Sequence, residues 1–462
     1  MTTYRRLTAA LAVGALLALG TPAAPRPASA QPAAAQPVAP PTTTPFATPS
    51  TDSCPHRETP PPAIDASEVP VAGSTAPVPV PVPDAPVGGD ELGACGVIVA
   101  DGAPPVPADI SATAWTVSDL DTGAVIAAKD PHGRYRPAST IKVLLALVAL
   151  DSLDLDTRVT ATAEDAATEG SAVGLGMGGV YTVRQLLQGL VMASGNDAAH
   201  AIAGQLGGTE RAVEAMNARA RELGALDTRT ATPSGLDGPG MASSAYDLAV
   251  IFRAAMEDPR FAELAAAEEV PFPGYPKDPS KPDNPSRPDQ PGVPVNPDLP
   301  LNEDRPGFTL ASDNALLFRY PGTLGGKNGY TDDARQTFVG AAERDGRRLV
   351  VSLMAADVLP IRPWEQAARL LDFGFAQPDA TIGTLDGTAG EKRDETDEPS
   401  ATRSATPDPA DVGSDSALAA PSGGAYPGVD DSADGAVRIG VGVVGGIVVL
   451  GLILLARRLS RR

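Results

Sequence analysis

Proline, more than any other residue, limits what this chain can fold into. Gln31 to about Pro107 is dense in Pro, Ala, Thr and Val, as in Pro79-Val80-Pro81-Val82-Pro83, and a second tract, Pro271 to Pro306, is charged as well, as in Lys277-Asp278-Pro279-Ser280-Lys281-Pro282-Asp283. Proline brings no N–H to a helix or a ladder, and neither tract holds enough large apolar residues to bury a core of its own. The 48 Pro and 47 Gly make up about a fifth of the 462 residues, against roughly 12% in an average soluble domain. Residues 31–107 therefore read as an extended spacer. Residues 271–306 read as a surface insertion within 108–376, the one stretch with the composition of a packed domain.

The two ends are apolar. Tyr4-Arg5-Arg6, the run Leu7 to Leu19 and Ala28-Ser29-Ala30 have the three parts of a secretory signal peptide, residues 1–30, with cleavage expected after Ala30. An acidic Ser/Pro/Asp stretch, 377–436, reads as a disordered linker to a transmembrane helix at 437–456. There Ile439 to Ala456 is an unbroken run of apolar residues and glycine, with Arg457, Arg458, Arg461 and Arg462 just beyond. A core helix of that length would not be so rich in Gly and Val. The basic flank places 457–462 in the cytoplasm and everything from Gln31 onward outside, tethered to the outer face of the cell membrane. In that oxidising setting Cys54 and Cys95 favour a disulfide over two free thiols, and neither serves as nucleophile or metal ligand. A net charge of −21 argues against nucleic acid as a partner, since phosphate is held by clustered Lys and Arg.

Within the packed stretch, Ala114 to Leu120 and Val125 to Ala128 flank the turn Asp121-Thr122-Gly123, which predicts a hairpin. A helix is expected to open near Ser139 and run through Val143 to Leu150. Further helices are predicted at Tyr181 to Met192 with Thr182 as N-cap, Asp197 to Leu206, Glu210 to Leu223, Ser243 to Met256 and Pro363 to Phe373. Thr160 to Gly179 is small-residue loop. Gly325 to Thr331, Thr337 to Ala342 and Arg348 to Met354 read as late strands, the last two joined at Asp345-Gly346. The fold class is α+β: an antiparallel sheet with strands from both ends of the domain and a cluster of helices between them.

Chemistry has few candidates. His56 lies in the spacer, His132 in a loop and His200 inside a helix beside Ser194, so a Ser-His-Asp triad has no convincing place to form. No His/Cys set has metal spacing, and no cofactor or phosphate loop is indicated. What remains is Ser139 with Lys142, one turn apart on one helix face. Taken alone, Ser-x-x-Lys at a helix start is ordinarily an N-cap serine with a lysine facing water. A serine becomes a nucleophile only when a base takes its proton, and a lysine serves when burial or a nearby cation lowers its pKa. Lys327 could supply that cation and also attract a substrate carboxylate. Ser194 offers a hydroxyl for proton relay, Asn196 an amide for a substrate carbonyl, and Gly329 room for a substrate backbone. Separately, Ser194-Gly195-Asn196 is also an ordinary helix break and Lys327-Asn328-Gly329 an ordinary Asn-Gly turn.

Together, Arg136-Pro137-Ala138-Ser139-Thr140-Ile141-Lys142, Met192-Ala193-Ser194-Gly195-Asn196-Asp197, Ser234-Gly235-Leu236-Asp237 and Gly326-Lys327-Asn328-Gly329-Tyr330-Thr331-Asp332 resemble the D-alanyl-D-alanine carboxypeptidases of the peptidase S11 type, on the serine β-lactamase/transpeptidase-like fold. The resemblance covers roughly Ala112 to Phe375. It implies that Ser139 forms an acyl-enzyme with a peptidoglycan stem peptide and releases the terminal D-alanine. By the same resemblance Lys142 takes the serine proton, Ser194 relays it, and Asn196 and Lys327 position the substrate. The N–H groups of Ser139 and Tyr330 form the oxyanion hole, and β-lactams acylate the same serine. Position 328 departs from the pattern, holding Asn where the family has Thr or, less often, Ser. A weakly active or non-catalytic penicillin-binding or peptidoglycan-binding protein is the alternative that this departure raises. A β-lactamase on the same fold comes next, but it needs a carboxylate-held water for fast deacylation, and no clear Glu-x-x-Asn candidate stands out after Ser194.

Overall fold

The computed structural model describes residues 48–296 and 301–387. Its main sheet is antiparallel and seven-stranded. In chain order the strands are β1 (Val97–Val99), β2 (Ala114–Asp119), β3 (Ala124–Lys129), β4 (Thr323–Thr331), β5 (Arg335–Arg344), β6 (Arg347–Ala356) and β7 (Gly383–Thr384). In space they run β1-β3-β2-β6-β5-β4, with β7 on the same edge of β3 as β1. Both predicted hairpins form. At the first turn, Asp119 Oδ1 accepts the N–H groups of Asp121 (3.1 Å) and Thr122 (2.9 Å). At the second, Asp345 and Gly346 both take positive φ, 53° and 78°, the backbone that a two-residue hairpin turn demands.

Alternation along β2 and β6 divides the molecule into layers. Val117, Leu349, Val351 and Leu353 face a core shared with Leu370 and Leu371 of α6 (Pro363–Phe375). On the opposite face, Thr116 and Ser352 join their hydroxyls at 2.7 Å, and both turn toward the Ala245 carbonyl at the start of α5 (Ala245–Glu257). The larger core lies on that side. Its centre is α1 (Lys142–Ser152), in which every residue from Lys142 to Leu150 is buried, as befits a helix apolar all round. Around it pack α2 (Val183–Met192), α4 (Thr209–Glu222) and α5, with α3 (Asn196–Gln205) next to α2. Thr182 caps α2 as expected, its hydroxyl accepting from Gln185 N while Gln185 bonds back to Thr182 N.

Three expectations differ from the structure. First, residues 48–107 are not a free spacer. Val87 and Leu92 enter the core, β1 extends the sheet, and Cys54 and Cys95 are joined in a disulfide, S–S 2.09 Å. The physical reason lies in the partner: a proline-rich backbone leaves its carbonyls without ladder bonds, and buried cations of the domain take them up. Arg134 donates to Glu58 O (2.9 Å) and Pro81 O (3.0 Å), Arg136 to Pro61 O (2.8 Å), and Lys129 to Pro49 O. Second, the domain continues past residue 376, since Ile382 and Leu385 are buried beside β7. Third, the loop Thr160 to Gly179 contains a short helix, Ala163–Ala166, with a Thr162/Asp165 capping box.

The insertion behaves as a surface excursion, closed at its base where Glu269–Phe272 pairs with Phe308–Ala311. Among the described residues no helix is long and apolar enough to cross a membrane. The expected signal peptide, the transmembrane helix at 437–456 and the tail lie outside the described residues.

Candidate active site

The α-helix that carries the site does not start at Ser139. A 3-10 turn, Ala138–Ile141, precedes it, and α1 begins at Lys142. Ala138 takes φ +47°, a left-handed conformation that costs a non-glycine residue of order 1 kcal/mol or more. Close packing imposes it. The Ala138 carbonyl presses against Gly235, where a Cβ would come within 2.0 Å, and Thr337 Oγ1 donates to Pro137 O at 2.8 Å. Ser139 is thereby freed from capping, and its half-exposed hydroxyl turns to Lys142.

Lys142 Nζ lies 2.8 Å from Ser139 Oγ, 2.7 Å from Asn196 Oδ1 and 2.6 Å from the Ser234 carbonyl. Two of those partners can only accept, so they take two N–H groups. A neutral amine has two N–H and one lone pair, which leaves the lone pair for the Ser139 hydroxyl. Electrostatics favour that form: burial holds the Lys142 pKa well below its ordinary value, and the nearby Lys327 cation lowers it further, against opposing pulls from Asp313 and Asp197. The amine is fully enclosed.

Asn196 is fixed from both ends. Its Nδ2 donates to Glu169 O at 2.7 Å, and its own N–H to Ser171 O at 2.7 Å. Asp197 holds the same loop by accepting the N–H groups of Val173, Gly174 and Leu175. Ser194 sits at the break between α2 and α3 with φ +59°, buried, and its hydroxyl makes no hydrogen bond among the described residues.

Lys327 lies in β4, the strand at the end of the sheet, buried and with its pKa lowered by that burial. Its Nζ donates to Asn328 O (2.9 Å) and Asn328 Oδ1 (3.1 Å), so the asparagine side chain occupies the ammonium. At Gly329 the space a Cβ would need is taken by Thr337 Oγ1 at 2.5 Å and by the backbone nitrogens of Ser139 at 2.7 Å and Thr140 at 3.0 Å. What the glycine admits here is the turn that carries Ser139. Tyr330 is exposed, its hydroxyl donating to Asp332 Oδ1 at 2.6 Å.

The structure thus gathers Ser139, Lys142 and Asn196 into one hydrogen-bonded group, with Lys327 near enough to act on Lys142 and Gly329 against Ser139. Sequence reasoning missed the Ser234 carbonyl, because any residue has a carbonyl; the neighbouring Gly235 was its only signal. The histidines have other work. His200 Nδ1 pairs with Asp165 at 2.6 Å, tying the short helix to α3. His132 joins Asp227 and Asp247 in a cluster no spacing foretold, its Nδ1 2.8 Å from Asp227 and its Nε2 3.0 Å from Val87 O. Both ring nitrogens are therefore engaged, and the trio reads as a clasp on the N-terminal segment.

A serine hydroxyl bonded to a buried lysine whose pKa is held well below its ordinary value, on an antiparallel sheet backed by helices, defines the class of serine acyl-transfer enzymes that use lysine as base. The comparisons narrow the class. A sequence profile of the D-alanyl-D-alanine carboxypeptidases, peptidase S11, matches residues 100–273. The chain is 47% identical to the D-alanyl-D-alanine carboxypeptidase DacB2 of Mycobacterium tuberculosis over 289 residues, 62% of this chain and 89% of that protein. With the carboxypeptidase DacF of Bacillus subtilis it shares 30% identity over 56% of this chain, and the match spans 61% of DacF. A crystal structure of a D-alanyl-D-alanine carboxypeptidase from Mycobacterium tuberculosis superposes with a TM-score of 0.53 at 46% identity, covering 62% of this chain and 99% of the other. The protein belongs to the D-alanyl-D-alanine carboxypeptidase family of serine peptidases.

Proposed function

We propose that the chain removes the terminal D-alanine from peptidoglycan stem peptides through an acyl-enzyme on Ser139. The observation that carries this reading is the contact of Lys142 Nζ with Ser139 Oγ, with two fixed acceptors occupying the rest of the amine. In the first half-reaction the Ser139 proton passes to Lys142 as Oγ attacks the carbonyl carbon of the penultimate D-alanine. The N–H groups of Ser139 and Tyr330 receive the oxyanion; Gly329 supports this by letting β4 run against Ser139 N. Lys142 then returns its proton, by way of the Ser194 hydroxyl, to the departing amine nitrogen, and D-alanine leaves. In the second half-reaction water gives its proton to Lys142 and attacks the ester, and Ser139 recovers its hydrogen. Asn196 and Lys327 serve binding: an amide toward the substrate carbonyl and an ammonium toward its terminal carboxylate. β-Lactams, amides with the same reacting carbonyl, acylate the same serine.

The wild-type chain should release D-alanine from a D-Ala-D-Ala peptide and bind a fluorescent penicillin covalently, and Ser139→Ala should do neither. Labelling that survives Ser139→Ala would falsify the serine mechanism. Labelling without release would instead favour a penicillin-binding protein with little turnover. We further propose that the enzyme is exported and held at the outer face of the cell membrane, a reading supported by Leu7 to Leu19 and by Ile439 to Ala456. A chain ending at Asp434 should then leave the membrane fraction; its retention there would count against the C-terminal anchor.

A further inference from the structure

The segment Ile64 to Glu68 touches the domain at two points, and those points belong to the two walls of the candidate site. Glu68 forks onto Arg136, taking Nε on one oxygen and Nη2 on the other at 2.8 Å. Arg136 is 2% exposed, stands three residues before Ser139, and spends its remaining nitrogen on Pro61 O. At the other end, Asp333 Oδ1 accepts the Ile64 N–H at 2.6 Å, and Asp333 Oδ2 lies 3.5 Å from Ser67 Oγ. Asp333 sits in the turn that follows β4, three residues after Tyr330. Five residues of the N-terminal segment therefore bridge the run-in to the nucleophile and the end of the substrate-facing strand. The Cys54–Cys95 disulfide and the donations of Arg134 to Glu58 O and Pro81 O hold the loop on both sides of the bridge.

We propose that this bridge is a brace that fixes the distance between the Ser139 turn and β4, with Glu68 as a positioning residue for the reaction. The inference rests on the reading in which the N–H groups of Ser139 and Tyr330 share the oxyanion. Each donor comes from one wall, so the width of the gap sets whether both reach the same oxygen. Two features make that width worth fixing. Ala138, between Arg136 and Ser139, is in a left-handed conformation that persists only while its surroundings over-determine it. And among the described residues β4 has no strand beyond it, so that within the sheet it pairs with β5 on one side. A fork of two charge-assisted bonds to a buried guanidinium is the strongest tie available on the Ser139 side.

The test measures acylation by a fluorescent penicillin, and kcat and KM on a D-Ala-D-Ala peptide, for the full chain and for Glu68→Ala, Glu68→Gln, Asp333→Ala and Ser139→Ala. A gap widened by a fraction of an ångström should lower acylation and kcat about ten- to a hundredfold in Glu68→Ala, with KM nearly unchanged. Glu68→Gln keeps one acceptor oxygen and should recover part of the loss. Asp333→Ala, which frees the other foot without uncovering a buried cation, should show a smaller fall in kcat of the same kind, and it carries the test should Glu68→Ala fail to fold. Wild-type acylation in folded Glu68→Ala or in Asp333→Ala, or a loss confined to KM, overturns the brace. Labelling retained by Ser139→Ala brings down the nucleophile reading and the brace with it, whereas a failed brace leaves Ser139→Ala unlabelled.

Discussion

Two lysines of opposite duty stand close together at this site, and their charges are coupled. As the proposed base, Lys142 works only without its proton, so acylation should be lost as pH falls through its depressed pKa. Removing the neighbouring cation raises that pKa. In Lys327→Ala the acid limb of the penicillin acylation profile should therefore move to higher pH; a limb that stays in place would mean that burial alone sets it. Lys142→Arg cannot shed its proton near neutrality, and a loss of about 10² to 10⁴ in acylation rate is expected from stopped-flow labelling. Asn328 acts on the second lysine. Because its Oδ1 holds Lys327 Nζ at 3.1 Å, an incoming carboxylate must compete for the ammonium. Asn328→Thr removes that competitor and restores a hydroxyl, so KM for the peptide should fall; an unchanged or higher KM would show that Asn328 is no hindrance.

The 3-10 turn before α1 and strand β4 meet where there is no room for another side chain. Gly329→Ala would drive a methyl to within about 3 Å of Ser139 N, Thr140 N and Thr337 Oγ1, all parts of fixed backbone or a bonded side chain. The strand must shift, and a fall of about a hundredfold in acylation with little change in melting temperature is expected from parallel kinetics and calorimetry. Elements with local signals were legible in the sequence. Asp345-Gly346 and Thr182 with Gln185 announce a turn and a cap through their own chemistry. The 3-10 entry to α1 was not, because it follows from contacts with Gly235 and Thr337, roughly 100 and 200 residues away. The short helix at Ala163–Ala166 escaped notice for its brevity, although its Thr162/Asp165 box was in plain view.

At the scale of the molecule, the candidate site residues carry clearer sequence signals than the boundary of the domain does. Ser139, Lys142, Ser194, Asn196 and Lys327 are rare combinations of chemistry at short spacings. The segment 48–107, by contrast, is poor in large apolar residues and joins the domain through carbonyls, which composition does not register. Its disulfide closes a loop across 41 residues. Replacing both cysteines, Cys54→Ser with Cys95→Ser, should cost up to about 4 kcal/mol in denaturant unfolding, the loop-closure entropy for that length. An unchanged midpoint would mean that the arginine contacts alone hold the segment.

The seam between β2 and β6 pairs Ser118 with Val350, so the middle of the sheet joins chain synthesised early to chain synthesised late. Translation proceeds at roughly 5–20 residues per second, and domains fold as units. A ribosome-bound chain with Ser139 and Lys142 already made still lacks β4, which supplies Lys327, and β5, which holds β4 in place. Such a nascent chain carries the proposed nucleophile without the field that arms it, so it should not react with an acyl donor until the last strands of the sheet have been made and joined.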